Sequence, residues 1–67
     1  MRRKDVRKVG DWELSVVARR TLQGRKYYVV GVRGGIRYWF HVTPNYDHAV
    51  YFLRWVNPAT TFHMRWV

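Results

Sequence analysis

The sequence predicts an α+β domain in the order β-β-β-α-β: an antiparallel three-stranded meander, one helix on its inner face, and a C-terminal edge strand. Three observations carry this reading. Trp12 to Leu22 alternates apolar with polar residues, two runs of β-branched and aromatic residues flank Gly34-Gly35, and the period changes to a helical one between Thr43 and Asn57.

The first ten residues hold Arg2, Arg3, Lys4, Arg7 and Lys8 against a lone Asp5, with no apolar period before Gly10. This composition reads as a basic flexible N-terminal arm over 1–10, with the folded domain over 11–67. In the first strand Trp12, Leu14, Val16 and Ala18 share one side, while Glu13, Ser15, Val17 and Arg19 share the other. With Gln23-Gly24 as a two-residue turn, Arg20 opposes Tyr27, Ala18 opposes Val29 and Val16 opposes Gly31.

A Gly-Gly loop supplies the positive φ angles of a tight hairpin turn, so Gly34-Gly35 sets the next register. Arg33 then meets Ile36, Gly31 meets Tyr38, Val29 meets Phe40 and Tyr27 meets Val42, all on the inner face. The outer face takes Val32 with Arg37, Val30 with Trp39, and Tyr28 with His41. Both hairpins assign the same residues of the middle strand to the inner face. Gly31 lies beneath bulky neighbours, where the absence of a side chain leaves room for Tyr38 or Trp12.

Thr43 suits a helix N-cap, Pro44 the first helical position and Asp47 the first turn, and Asn57-Pro58 stops the helix. Tyr46, Ala49, Val50 and Leu53 form a stripe that can cover the sheet. His48, Tyr51, Phe52 and Trp55 form a second stripe on nearly the opposite side, which a helix lying on one sheet does not require. Thr60 to Val67 alternates again, and Phe62, Met64 and Trp66 are expected to point inward from an edge strand.

One domain is all that 67 residues allow, and a chain this small without cysteine must rely on dense aromatic packing or on self-association. The apolar runs fall short of a membrane span and the N-terminus lacks a signal-peptide core, so a cytoplasmic protein is expected, in the host cell cytoplasm if viral. The formal charge of +9, from thirteen Lys and Arg against four Asp and Glu, calls for an anionic partner, and nucleic acid ranks first.

The outer face combines Arg19, Lys26, Arg37 and His41 with the rings of Tyr28 and Trp39. Rings on a sheet stack on unpaired bases while neighbouring cations neutralise phosphates. These residues, with Arg2, Arg3 and Lys4 of the arm, are the candidate nucleic-acid contacts. His48, Tyr51, Phe52 and Trp55 are the candidate protein-binding surface, for a homodimer or another protein, because exposed rings bring large contact area at low entropy cost. Histidines 41, 48 and 63 match no zinc spacing, and no nucleophile, base and orienting group can be nominated together. The sequence therefore points to a non-enzymatic binding protein without a cofactor.

From Tyr38 to Val67 the chain runs strand, Thr-Pro helix opening, a helix ending in Arg-Trp-Val, a Pro-Ala turn and a closing strand, marked by Trp55, Pro58, Ala59 and Phe62. This stretch, under half of the chain, resembles the small bacteriophage proteins that inhibit host RNA polymerase. In outline it also resembles other compact phage inhibitors such as some anti-CRISPR proteins. The resemblance implies a phage inhibitor or adaptor that occupies a site on a larger nucleoprotein machine. The polymerase inhibitors depend on acidic surface, whereas this chain is basic, so it implies no contact residues here.

Overall fold

A computed structural model describes residues 5–66 as one antiparallel five-stranded sheet and one helix. The strands are β1 (Val6–Val9), β2 (Trp12–Thr21), β3 (Gly24–Arg33), β4 (Ile36–Thr43) and β5 (Met64–Arg65), and α1 (Tyr46–Trp55) lies between β4 and β5. The order across the sheet is β1-β2-β3-β4-β5, so each strand pairs with its predecessor in the chain. Among the described residues no helix is long and apolar enough to cross a membrane.

Part of the expected arm is a strand. Val6 pairs with Ser15 and Val9 with Trp12 across a Gly10-Asp11 turn. In Val-Arg-Lys-Val the two valines fall on opposite faces, so the segment has no amphipathic pattern of its own, and pairing with β2 gives it its conformation. Arg2, Arg3 and Lys4, proposed as phosphate contacts, lie outside the described residues.

The β2–β3 register differs from the expected one by two residues. Thr21 pairs with Gly24, Ala18 with Tyr27, Val16 with Val29 and Leu14 with Gly31, so the turn is Leu22-Gln23 rather than Gln23-Gly24. Thr21 stabilises it, its Oγ1 donating to the Gly24 carbonyl at 2.7 Å and accepting from the Gln23 amide at 3.2 Å. Because the pleat repeats every two residues, a shift of two changes partners and leaves every face assignment intact.

The Gly34-Gly35 turn is as expected, with φ of 59° and 77°, and Arg33–Ile36 through Val30–Trp39 pair in the expected register. Beyond Trp39 the register slips at a β-bulge, because Val29 pairs with His41 and Phe40 is the extra residue. The bulge turns Phe40 and His41 together toward the helix side, brings Thr43 opposite Tyr27, and moves Val42 opposite Tyr28, to the outer face.

The core lies between α1 and the inner face. Trp12, Leu14, Val29, Phe40, Ala49, Leu53 and Val56 form one buried cluster. Gly31 is its tightest point: a Cβ built there would stand 2.8 Å from Leu14 Cδ2, 2.8 Å from Phe40 Cε1 and 3.0 Å from Trp12 Cε3. The residue is glycine because three core side chains occupy the volume above it.

The helix starts two residues later than expected. Asn45, not Thr43, is the N-cap, its side chain accepting from the Asp47 amide at 2.9 Å and the His48 amide at 3.2 Å. Thr43 still contributes two residues upstream of the cap, where its Oγ1 accepts from the Asn45 amide at 3.2 Å, and Pro44 lies between them. Ala49 and Leu53 are buried as the first stripe requires. At the other end, Arg7 of β1 donates to the Leu53 and Val56 carbonyls at 2.9 and 2.8 Å.

The last strand is short and inverted. Met64 stands opposite Trp39 and Arg65 opposite Tyr38, so Met64 and Trp66 belong to the outer face and His63 to the inner one. The His63 ring meets Trp12, Tyr38 and Phe40 at centroid distances of 5.2, 5.1 and 5.0 Å. Phe62, expected inward, is 79% exposed. With α1 already over the inner face, the edge beside β4 admits one inward ring from this segment.

A candidate nucleic-acid interface on the outer sheet face

Register alone assembles this face. On β2, Ser15, Val17 and Arg19 point outward beside Val30, Tyr28 and Lys26 of β3, and Val30 pairs onward with Trp39 of β4. Val30 is 2% exposed although it does not belong to the inner core, so side chains of this face cover it. The face therefore has an apolar floor beneath its rings.

Three rings meet above that floor. Tyr28 lies edge-to-face against Trp66 at 5.0 Å and 73°, and against Trp39 at 6.4 Å and 86°. The Arg19 guanidinium sits 5.3 Å from the Trp66 ring centroid, in cation–π range. Arg19, Tyr28, Trp39 and Trp66 line an open groove of about 190 Å³. Trp66 is held in place by its backbone, whose amide donates to the Arg37 carbonyl at 2.8 Å.

Cations flank the rings at both ends. Arg19 stands directly opposite Lys26 beyond Tyr28, and Arg37 stands opposite Val32 beyond Trp39. Lys26 donates to the Gln23 side chain at 3.1 Å, an exposed contact, and Arg37 is exposed. The acidic residue of this face, Glu13, stands opposite Lys8 and Val32 at the far end of β2. Of the other described acids, Asp11 pairs with Arg33 at 3.0 Å, Asp5 accepts from the Tyr46 hydroxyl, and Asp47 lies in the first turn of α1.

Arg19, Lys26, Tyr28, Arg37 and Trp39 thus stand together as the alternation predicts. His41 does not. The bulge carries it to the inner side, where its ring stacks on Phe52 at 4.6 Å and 17°. Trp66 and Met64, both expected inward with Phe62, stand on this face instead, and Trp66 brings it a third ring. The alternation groups Met64 with Trp66 on one face, as the pairing has it, without saying which side of the sheet that face is.

The helix stripe divides in a similar way. Tyr51 and Trp55 are 67% and 71% exposed, with ring centroids 6.4 Å apart, and His48 is exposed beside them. Phe52 instead packs against the core cluster and His41, so it belongs to the fold rather than to a free surface.

A second concentration of charge lies at the free end of the β2–β3 hairpin. Arg19 opposes Lys26 and Arg20 opposes Arg25, two directly facing like-charge pairs, and Leu22 at the turn is fully exposed. Pairing with β4 begins only at Tyr27 and the described pairing with β1 ends at Ser15, so this end projects as a two-stranded ribbon. The chain matches no protein-family model, no curated protein and no solved structure.

Proposed function

We propose that this chain is a small, non-enzymatic nucleic-acid-binding protein that contacts its partner through the outer sheet face. The carrying observation is the coincidence of Tyr28, Trp39 and Trp66 with Arg19, Lys26 and Arg37 on one face, where the acidic Glu13 stands in the row of Val32 and Arg37, at the other end from Arg19 and Lys26. Rings supply stacking surface that is tolerant of sequence, and flanking cations neutralise phosphates and release counterions. The formal charge of +9 favours approach to a polyanion from any direction. The test is fluorescence anisotropy with labelled oligonucleotides across a salt series. Binding that persists at about 0.15 M salt and weakens linearly in log–log form supports the reading; no binding at that salt removes it.

A second reading rests on Tyr51 and Trp55. Two large rings exposed side by side on a helix of a 67-residue protein have the character of protein-interface anchors. Combined with the resemblance of the C-terminal half to phage inhibitors, they support an inhibitor or adaptor that engages a host nucleoprotein machine through the helix. A homodimer through the same rings is the simplest variant. The two surfaces lie on different elements, so the readings are separable by mutation.

A further inference from the structure

We propose that the groove formed by Tyr28, Trp39 and Trp66 is a stacking subsite for an unpaired nucleobase, and hence that the nucleic acid bound is single-stranded. This rests on the nucleic-acid reading above and narrows it. Tyr28 meets both tryptophans edge-to-face, at 73° and 86°, so the three rings are not coplanar, and with Arg19 they line an open groove. A planar ring entering that space can lie on one face and meet the edge of another, the arrangement that aromatic pairs prefer. Buried Val30 lies on the same face as support, pairing with Trp39.

Charge selects among the ligands that such a groove could take. Three rings also suit an ammonium group, but Arg19 already stands 5.3 Å from the Trp66 centroid and Lys26 opposes Arg19. A cationic ligand would enter against these charges. An apolar side chain would fill the groove and leave the flanking cations without anions. A nucleotide in a strand satisfies both, offering a π face to the rings and phosphates to the cations. The spacing agrees: Lys26 to Val32, which faces Arg37, spans about 20 Å along β3, room for a few nucleotides of the roughly 4 to 16 that a sheet-based single-strand site covers. Paired bases in a duplex present no free face to this groove.

The test compares three labelled probes of roughly 12 nucleotides at one salt concentration: oligothymidylate, an abasic oligomer with the same phosphates, and a duplex. Oligothymidylate is expected to bind the unaltered protein about tenfold or more tighter than the abasic oligomer. Trp66→Ala is expected to erase that difference and Trp66→Phe to retain most of it. Abasic and base-bearing strands binding equally, or the duplex binding tightest, would overturn the subsite while leaving nucleic-acid binding standing. No binding by any probe at about 0.15 M salt would overturn both readings. The abasic comparison uses the unaltered chain, so the proposal is decided even if Trp66→Ala does not fold.

Discussion

The guanidinium of Arg7 in β1 donates to the carbonyl of Val56 at 2.8 Å and to that of Leu53 at 2.9 Å, closing the C-terminal end of α1 from another element. The last carbonyls of a helix have no partner within it, and the helix dipole places partial negative charge there. One side chain answers both needs and ties the edge strand to the helix. A cation that composition assigns to a phosphate-seeking arm is therefore a structural one.

Replacing Arg7 with Ala should cost about 2 kcal/mol of stability, since hydrogen bonds from a charged donor to partly buried carbonyls are lost. Urea denaturation measures this directly. The slope of nucleic-acid affinity against salt should not change, because Arg7 is occupied within the fold; a slope lower by one unit would place it on the ligand instead.

Gly31→Ala should destabilise by roughly 1 to 3 kcal/mol through overpacking against Leu14, Phe40 and Trp12. A companion change, Leu14→Val, makes space at one of the two closest contacts and should recover part of the loss in the double variant. Additivity of the two costs would mean that the side chains above Gly31 yield more easily than their distances indicate.

The facing pairs Arg19–Lys26 and Arg20–Arg25 repel each other across the hairpin. Like charges opposed on a ladder destabilise by a few tenths to about 1 kcal/mol, and salt screens them. The melting temperature of the free protein should therefore rise between low and moderate salt, and Arg20→Thr should raise it at low salt while flattening the salt dependence. A melting temperature that falls with added salt would refute this account.

Arg37→Gln and Lys26→Gln should each lower the salt slope by about 0.7 to 0.9, the value for one phosphate contact, and weaken binding. Thermal stability should stay within about 0.5 kcal/mol, because neither side chain is buried and Lys26 loses only an exposed bond to Gln23. Slopes unaffected by both changes would move the phosphate contacts off this face.

Trp55→Ala removes a ring that is 71% exposed, so stability should change by less than about 0.5 kcal/mol. If the helix carries a protein interface, association with that partner should weaken by about 2 kcal/mol or more, read by sedimentation for a homodimer or by calorimetry for another protein. Unchanged association would leave the outer sheet face as the binding surface.

The sequence by itself determined the α+β class, the β-β-β-α-β core, and the faces of β2, β3 and the first half of β4. Each of these follows from a local rule. A period of two assigns faces whatever the partner, which is why a turn one residue earlier than expected, which shifts the register by two, changes the pairs and not the sides. Gly34-Gly35 is legible because glycine suits positive φ without steric cost, and Asp47, Ala49 and Leu53 mark the helix because capping charge and a 3.6-residue stripe are local as well.

Tertiary structure decided the rest. A bulge depends on what two strands pack against, so nothing within Phe40-His41 announces that both rings turn toward α1. Val6–Val9 has no face pattern and becomes a strand because β2 offers an edge and α1 offers carbonyls to Arg7. The last segment alternates correctly, but alternation defines two sides without saying which is inner. With α1 over the inner side, the His63 ring packs inward and Trp66 goes outward, completing with Tyr28 and Trp39 a groove that the sequence pattern alone leaves unassembled.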